Sequence, residues 1–130
     1  MLSEVDLDLN RVHFLGRVPY PIYLNILQIS SAHVYLTVPF VLSWSMLEAM
    51  AAGCLVIGSD TAPVKEVIED GKNGLLVDFF SPVDIANRVE EVLDNPDKFK
   101  TMRKAARQFI TDNYTVKRSI ALYMDLLQKV

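Results

Sequence analysis

Pro39-Phe-Val-Leu-Ser-Trp-Ser-Met-Leu-Glu48-Ala-Met-Ala-Ala-Gly53-Cys-Leu-Val-Ile-Gly-Ser-Asp60 is the stretch on which the reading of this chain turns. It follows a β-branched run, Ala32-His-Val-Tyr-Leu-Thr-Val38, opens on serines, and continues as a short helix apolar on nearly every side. Gly53 ends that helix, and a second β run begins at once at Cys54. Strand, buried helix, strand is the repeating unit of a parallel sheet. Glu48 is the only formal charge between Pro39 and Ser59. A lone carboxylate in apolar surroundings costs on the order of several kcal/mol or more unless it is paired or hydrogen-bonded. Two roles are open to it. If Ser45 is the helix cap, Glu48 falls where a capping-box acid bonds the cap amide. If Ser43 is the cap, Glu48 lies further in and faces core or cleft.

Working outward, the flanks repeat the alternation. Arg11–Gly16 reads as a short buried strand, and Pro19-Tyr-Pro21 starts a helix with Ile22, Ile26 and Ile29 on one stripe. Residues 32–38 are continuous enough for a strand covered on both faces. After strand 54–58, Pro63 with Val64, Val67 and Ile68 suggests a short helix ended by Asp70-Gly71, and Asn73-Gly74 turns into strand 75–79. From Ser81 the chain is helical. Ser81-Pro82-Val83-Asp84 supplies a cap, a first-turn proline and an acid. A second helix restarts after Asn95-Pro96 with Phe99, Met102, Ala106, Phe109 and Ile110 inward. Thr115 caps a third carrying Val116, Ile120, Tyr123, Met124 and Leu127. The expected fold is α/β: a Rossmann-like parallel sheet of about four strands, flanked by helices and ending in three consecutive helices, all in one domain over residues 1–130. In such sheets ligands bind at the carboxyl ends of the strands. That rule gathers the loops at 16–20, 38–44, 58–64 and 79–81 on one rim.

Composition narrows the function classes. The 130 residues are 51% hydrophobic with a net charge of −3, which gives no global case for nucleic-acid binding. Cys54 is the one cysteine and falls where a buried strand begins, so it reads as an inert core thiol. No apolar run approaches the roughly 20 residues of a membrane span, and residues 1–10 lack the marks of a signal peptide. A cytoplasmic domain is the expectation. His13 and His33 have no third ligand beside them, so no metal site is expected. Lys100, Arg103, Lys104 and Arg107 make a basic helical stripe. It could attract anionic lipid headgroups, which would make the protein peripheral to a membrane, or another subunit, although a solvated face is the plainer reading. Neither Gly-x-Gly-x-x-Gly after a strand nor a Walker lysine loop occurs. A receiver-type phosphoacceptor domain would want acids where Gly16 and Arg17 stand.

Five segments carry a family resemblance: Val12-His-Phe-Leu-Gly-Arg-Val18, Leu47-Glu-Ala-Met-Ala-Ala-Gly53, Val56-Ile-Gly-Ser-Asp60, Glu66-Val-Ile-Glu-Asp-Gly71 and Asn73-Gly-Leu-Leu-Val77. In this order and spacing the chain resembles the C-terminal, nucleotide-sugar-binding domain of the family 4 (group 1) GT-B glycosyltransferases, which are retaining and metal-independent. The resemblance implies a nucleoside diphosphate sugar as substrate and no cofactor. It implies that Glu48 is the second glutamate of a Glu-x7-Glu motif and meets the ribose hydroxyls. By the same match, Gly16, Arg17 and Val18 line the base pocket, and Leu42, Ser43, Trp44 and Ser45 flank the donor sugar and diphosphate. Two departures stand out. The first motif glutamate, which reads the donor sugar, falls on Phe40, with Val41 and Ser43 in place of the glycines that follow it. The family's diphosphate-binding arginine and lysine precede the first matched segment, and the acceptor domain precedes them. The chain therefore reads as an incomplete half of an enzyme, inactive alone, whose last helix would cross to the acceptor domain. A lone half would also expose a face able to self-associate into a homo-oligomer. The alternative is a non-catalytic interaction module with a degenerate donor pocket, pairing with a separate partner.

Overall fold

Among the described residues helices and strands alternate and then give way to helices: α1 (Tyr20–Ile29), β1 (His33–Tyr35), α2 (Trp44–Ala52), β2 (Val56–Ser59), α3 (Ala62–Lys65), β3 (Leu75–Val77), α4 (Pro82–Asp94), α5 (Lys100–Asn113) and α6 (Val116–Gln128). The structure, a computed structural model, describes residues 8–38 and 42–129. The strands form one parallel sheet in the order β1-β2-β3, with His33 opposite Val56 and Ile57 opposite Leu75.

β2 is the centre of the molecule, buried along its whole length. Its side chains alternate between two cores, as a strand's period of two requires. Val56 joins Leu27, Met46, Met50 and Ile110 under α1, α2 and α5. Leu55 and Ile57 join Leu75, Val77, Val92 and Phe99 under α4. Sandwiched between sheet, α1 and α5, α2 has to be apolar on nearly every side, and Met46, Ala49 and Met50 are completely buried. Gly53 closes it with a left-handed φ of 81°, where a side chain would be strained, and its amide returns to the carbonyls of Ala49 and Met50. Gly58 serves close approach: a Cβ there would meet Val64 Cγ1 at 2.9 Å.

The helix-start signals read from the sequence hold in α4 and α6. Ser81 Oγ accepts from the Asp84 amide, and Thr115 Oγ1 from the Arg118 amide, both at 3.2 Å. In α5, Phe99, Ala106 and Ile110 are buried and Met102 and Phe109 partly so, as their spacing implied, although the helix begins at Lys100.

Three expectations need correction. Arg11–Gly16 forms no strand: Leu9–Arg11 is a 3₁₀ turn, and Phe14 is 76% exposed. A strand requires a neighbour for its backbone hydrogen bonds. β1 pairs with β2 alone among the described residues, so its outer edge stays open and 11–16 makes no ladder with it. Residues 32–38 are likewise not covered on both faces: only His33–Tyr35 is strand, and Val34, Leu36 and Val38 are exposed. His13, expected in or beside a strand, is likewise exposed.

Candidate functional site

The carboxyl end of β1 leads into the segment that starts α2, and two hydroxyls tie that region down. Tyr35, the last residue of β1, is buried, and its hydroxyl accepts from the Ser43 amide at 2.9 Å. Ser59, the last residue of β2, accepts from the Thr37 amide at 3.1 Å and donates to the Thr37 carbonyl at 2.9 Å. The start of α2 is therefore fixed by the ends of the two strands beneath it.

Ser43 is the cap of α2. Its Oγ accepts from the Ser45 amide at 3.3 Å and lies 3.0 Å from the Ser45 hydroxyl. That decides between the two roles left open for Glu48. Glu48 is the fifth residue of α2, beyond capping-box reach, and its half-exposed carboxylate turns toward α1. There Tyr20, the first residue of α1, donates its hydroxyl to Glu48 Oε1 at 3.0 Å. Tyr23 stands one turn further on, its ring centroid 6.1 Å from that of Tyr20. Its hydroxyl is shut off from solvent and has no hydrogen-bond partner among the described residues. Such a group costs about 1–3 kcal/mol. The Glu48 hydrogen bond pushes the Tyr20 phenol above its usual range. Burial, followed by the Glu48 charge, does the same for Tyr23. The carboxylate and two phenols form one cluster joining the N-terminal turns of α1 and α2.

Most of the residues singled out in the sequence fall in the segments that open α1 and α2. Gly16, Arg17 and Val18 occupy the segment leading into α1, with Gly16 at a left-handed φ of 60°. Arg17 is exposed and Val18 half-buried. Leu42 packs on the core under α1 and α2, whereas Trp44 is 77% exposed. Phe40 lies outside the described residues. Tyr20 and Tyr23 were missed. Both stood in the Pro19-Tyr-Pro-Ile-Tyr23 helix start, where an aromatic at helical spacing reads as core, and only the fold brings them to Glu48.

Other features fall away from this cluster. A cavity of about 680 Å³ lies between the turn before β3 and α5, lined by Lys65, Asn73, Phe109 and Asp112 among others, and shares no residue with it. The basic stripe is partly engaged: Lys100 pairs with Asp97, and Arg103 reaches the Ser31 carbonyl, leaving Lys104 and Arg107 exposed. His33 is half-buried, which lowers its pKa, and burial raises that of the Cys54 thiol. No helix among the described residues is long and apolar enough to cross a membrane.

Residues 6–109 match the family described as Glycosyl transferases group 1. The chain belongs to that family. Among curated relatives, it is 27% identical to the uncharacterized glycosyltransferase MJ1069 of Methanocaldococcus jannaschii over 122 residues, which is 93% of this chain and 31% of that one. It is 33% identical over 82 residues, 63% of this chain and 21% of the other, to a GDP-mannose-dependent mannosyltransferase of Mycobacterium tuberculosis. Among solved structures, Anabaena Alr3699/HepE in complex with UDP-glucose superposes with a TM-score of 0.87 at 21% identity, covering 99% of this chain and 35% of that one. This group 1 chain thus spans about a third or less of these relatives. Its α/β architecture, a parallel sheet flanked and followed by helices, is shared with the superposed part of HepE.

Proposed function

We propose that this chain is the nucleotide-sugar-binding half of a retaining glycosyltransferase that moves a sugar from a nucleoside diphosphate donor to an acceptor. One observation carries the reading. The half-exposed Glu48 carboxylate, released from any capping duty, stands beside the first turn of α2, on the rim where an α/β sheet receives ligands. A carboxylate there can accept from the vicinal hydroxyls of a ribose. The segment from Gly16 to Val18 runs alongside for the base, and the positive end of α2, with its Trp44 amide, is suited to the diphosphate. As the bond to the sugar breaks, the departing β-phosphate gains charge that helix amides stabilise. The donors of the relatives support the class: HepE was solved with UDP-glucose, and the mycobacterial relative depends on GDP-mannose. They do not single out one base. Phe40, in place of the sugar-reading glutamate, requires a donor sugar recognised without that carboxylate.

The exposed apolar face of α6, with Ile120, Tyr123 and Leu127 all uncovered, supports a companion proposal. This face docks on an acceptor domain in the complete enzyme, and the 130-residue chain alone transfers no sugar. The same face favours the second reading, a module that acts only by binding a partner. Titration calorimetry with UDP, GDP and ADP tests the first reading against the second. Binding of one of them, weakened at least tenfold by Glu48→Ala, is the expected result. No binding of any nucleotide would leave the module reading, and equal binding by the variant would remove Glu48 from the site.

A further inference from the structure

The contact between Tyr20 and Glu48 is more than a tie between two helices. It joins residues 28 positions apart through the one charged side chain at the start of α2, on a surface where Tyr20 is 58% exposed. A solvent-facing phenol adds little to a core it does not enter, because an exposed hydrogen bond exchanges with water at almost no net gain. The core beneath is built by Leu27 of α1 with Met46, Ala49 and Met50 of α2, and it persists without the hydroxyl.

What the hydroxyl does change is the carboxylate. A glutamate at the mouth of a cleft samples several rotamers, and each must be frozen when a ligand binds. Tyr20 holds Oε1 in one place. An ionised carboxylate offers about four acceptor positions. One is used, and Oε2 together with the second lone pair of Oε1 stays free for a diol. Tyr23 lies one turn on, its ring tilted against that of Tyr20, with its hydroxyl unpartnered and out of solvent. We infer that Tyr20 is a positioning residue of the nucleotide site, presetting Glu48 for the ribose hydroxyls and so setting the preference for ribonucleotide over deoxyribonucleotide. This rests on the reading of Glu48 as the ribose ligand.

The test is calorimetry of UDP and 2′-deoxy-UDP against the unaltered chain, Tyr20→Phe, Glu48→Gln and the double variant. Tyr20→Phe is expected to weaken UDP about fivefold to tenfold, roughly 1–1.4 kcal/mol, and 2′-deoxy-UDP by less than about twofold, with no change in melting temperature. In the Glu48→Gln background the same substitution is expected to add less than about twofold. If Glu48→Gln binds UDP as the unaltered chain does, the site reading itself fails. If Glu48→Gln weakens UDP while Tyr20→Phe matches the unaltered chain or binds more tightly, the site stands and the role of Tyr20 is overturned. Equal loss of both nucleotides in Tyr20→Phe would also overturn it, because a general loosening does not discriminate at the 2′ position.

Discussion

α2 and α6 are both short helices, each opened by a hydroxyl cap and each rich in aliphatic and methionine side chains, yet they meet opposite environments. Met46, Ala49 and Met50 of α2 are completely buried between the sheet, α1 and α5. α6 has no buried residue, and Tyr123 on its apolar stripe is 71% exposed. An apolar stripe states that a helix will be covered; it does not state by what. α2 finds its cover inside this chain because β1, β2 and α5 surround it. The cover proposed for α6 lies on another domain. The same contrast separates stability from function. α2 holds the sheet together through its buried end and presents Glu48 at its start. α6 places no buried side chain in the core.

The largest effect expected from this contrast is its most direct check. Met50→Ala should lower the unfolding free energy by about 2–5 kcal/mol, the usual range for emptying a core site. Leu126→Ala on α6 should change it by no more than about 0.5 kcal/mol, as on any open surface. Urea unfolding followed by circular dichroism measures both; similar costs for the two would mean that α6 is covered within this chain. Next in size is Gly58→Ala. Its Cβ would lie 2.9 Å from Val64 Cγ1 and 3.3 Å from Ile68 Cδ1, so the core under α3 must shift. A loss of about 1–3 kcal/mol is expected in the same assay. Ser43→Ala, which removes the cap of α2, should cost about 1 kcal/mol, and Ser43→Gly only a few tenths. Equal losses from both would show that the serine works through something other than capping.

The smallest effect is a pH dependence. Burial lowers the His33 pKa below its ordinary 6.5. The unfolded chain then binds the proton more readily than the folded one. Stability from this group is whole above pH about 6.5, falls as the pH drops below that value, and levels off below the folded pKa. His33→Gln should flatten that segment of a plot of melting temperature against pH. An unchanged slope would mean that the buried imidazole is not its source.

Much of the fold was legible because it rests on local chemistry. Gly53 ends α2, Ser81 and Thr115 cap their helices, and the apolar run from Cys54 to Ile57 leads into a strand buried along its whole length. Arg11–Gly16 misled because its apolar character was real while its backbone makes no ladder with the open edge of β1. A run can have strand composition and still lack a ladder. The site was legible in part. Glu48 announced itself as an isolated charge, but whether it capped or faced outward depended on which serine began the helix, a difference of two residues. Tyr20 and Tyr23 carried no signal, because their meeting with Glu48 comes from the packing of α1 on α2.

The central claim is that nucleotide binds at the joined starts of α1 and α2. A titration of the isotope-labelled chain with UDP, followed residue by residue through amide chemical shifts, tests it most directly. The account predicts shifts concentrated at Gly16–Tyr20 and Ser43–Glu48, with α6 silent. Shifts gathered instead around Lys65, Asn73 and Phe109, at the cavity between the turn before β3 and α5, would contradict it.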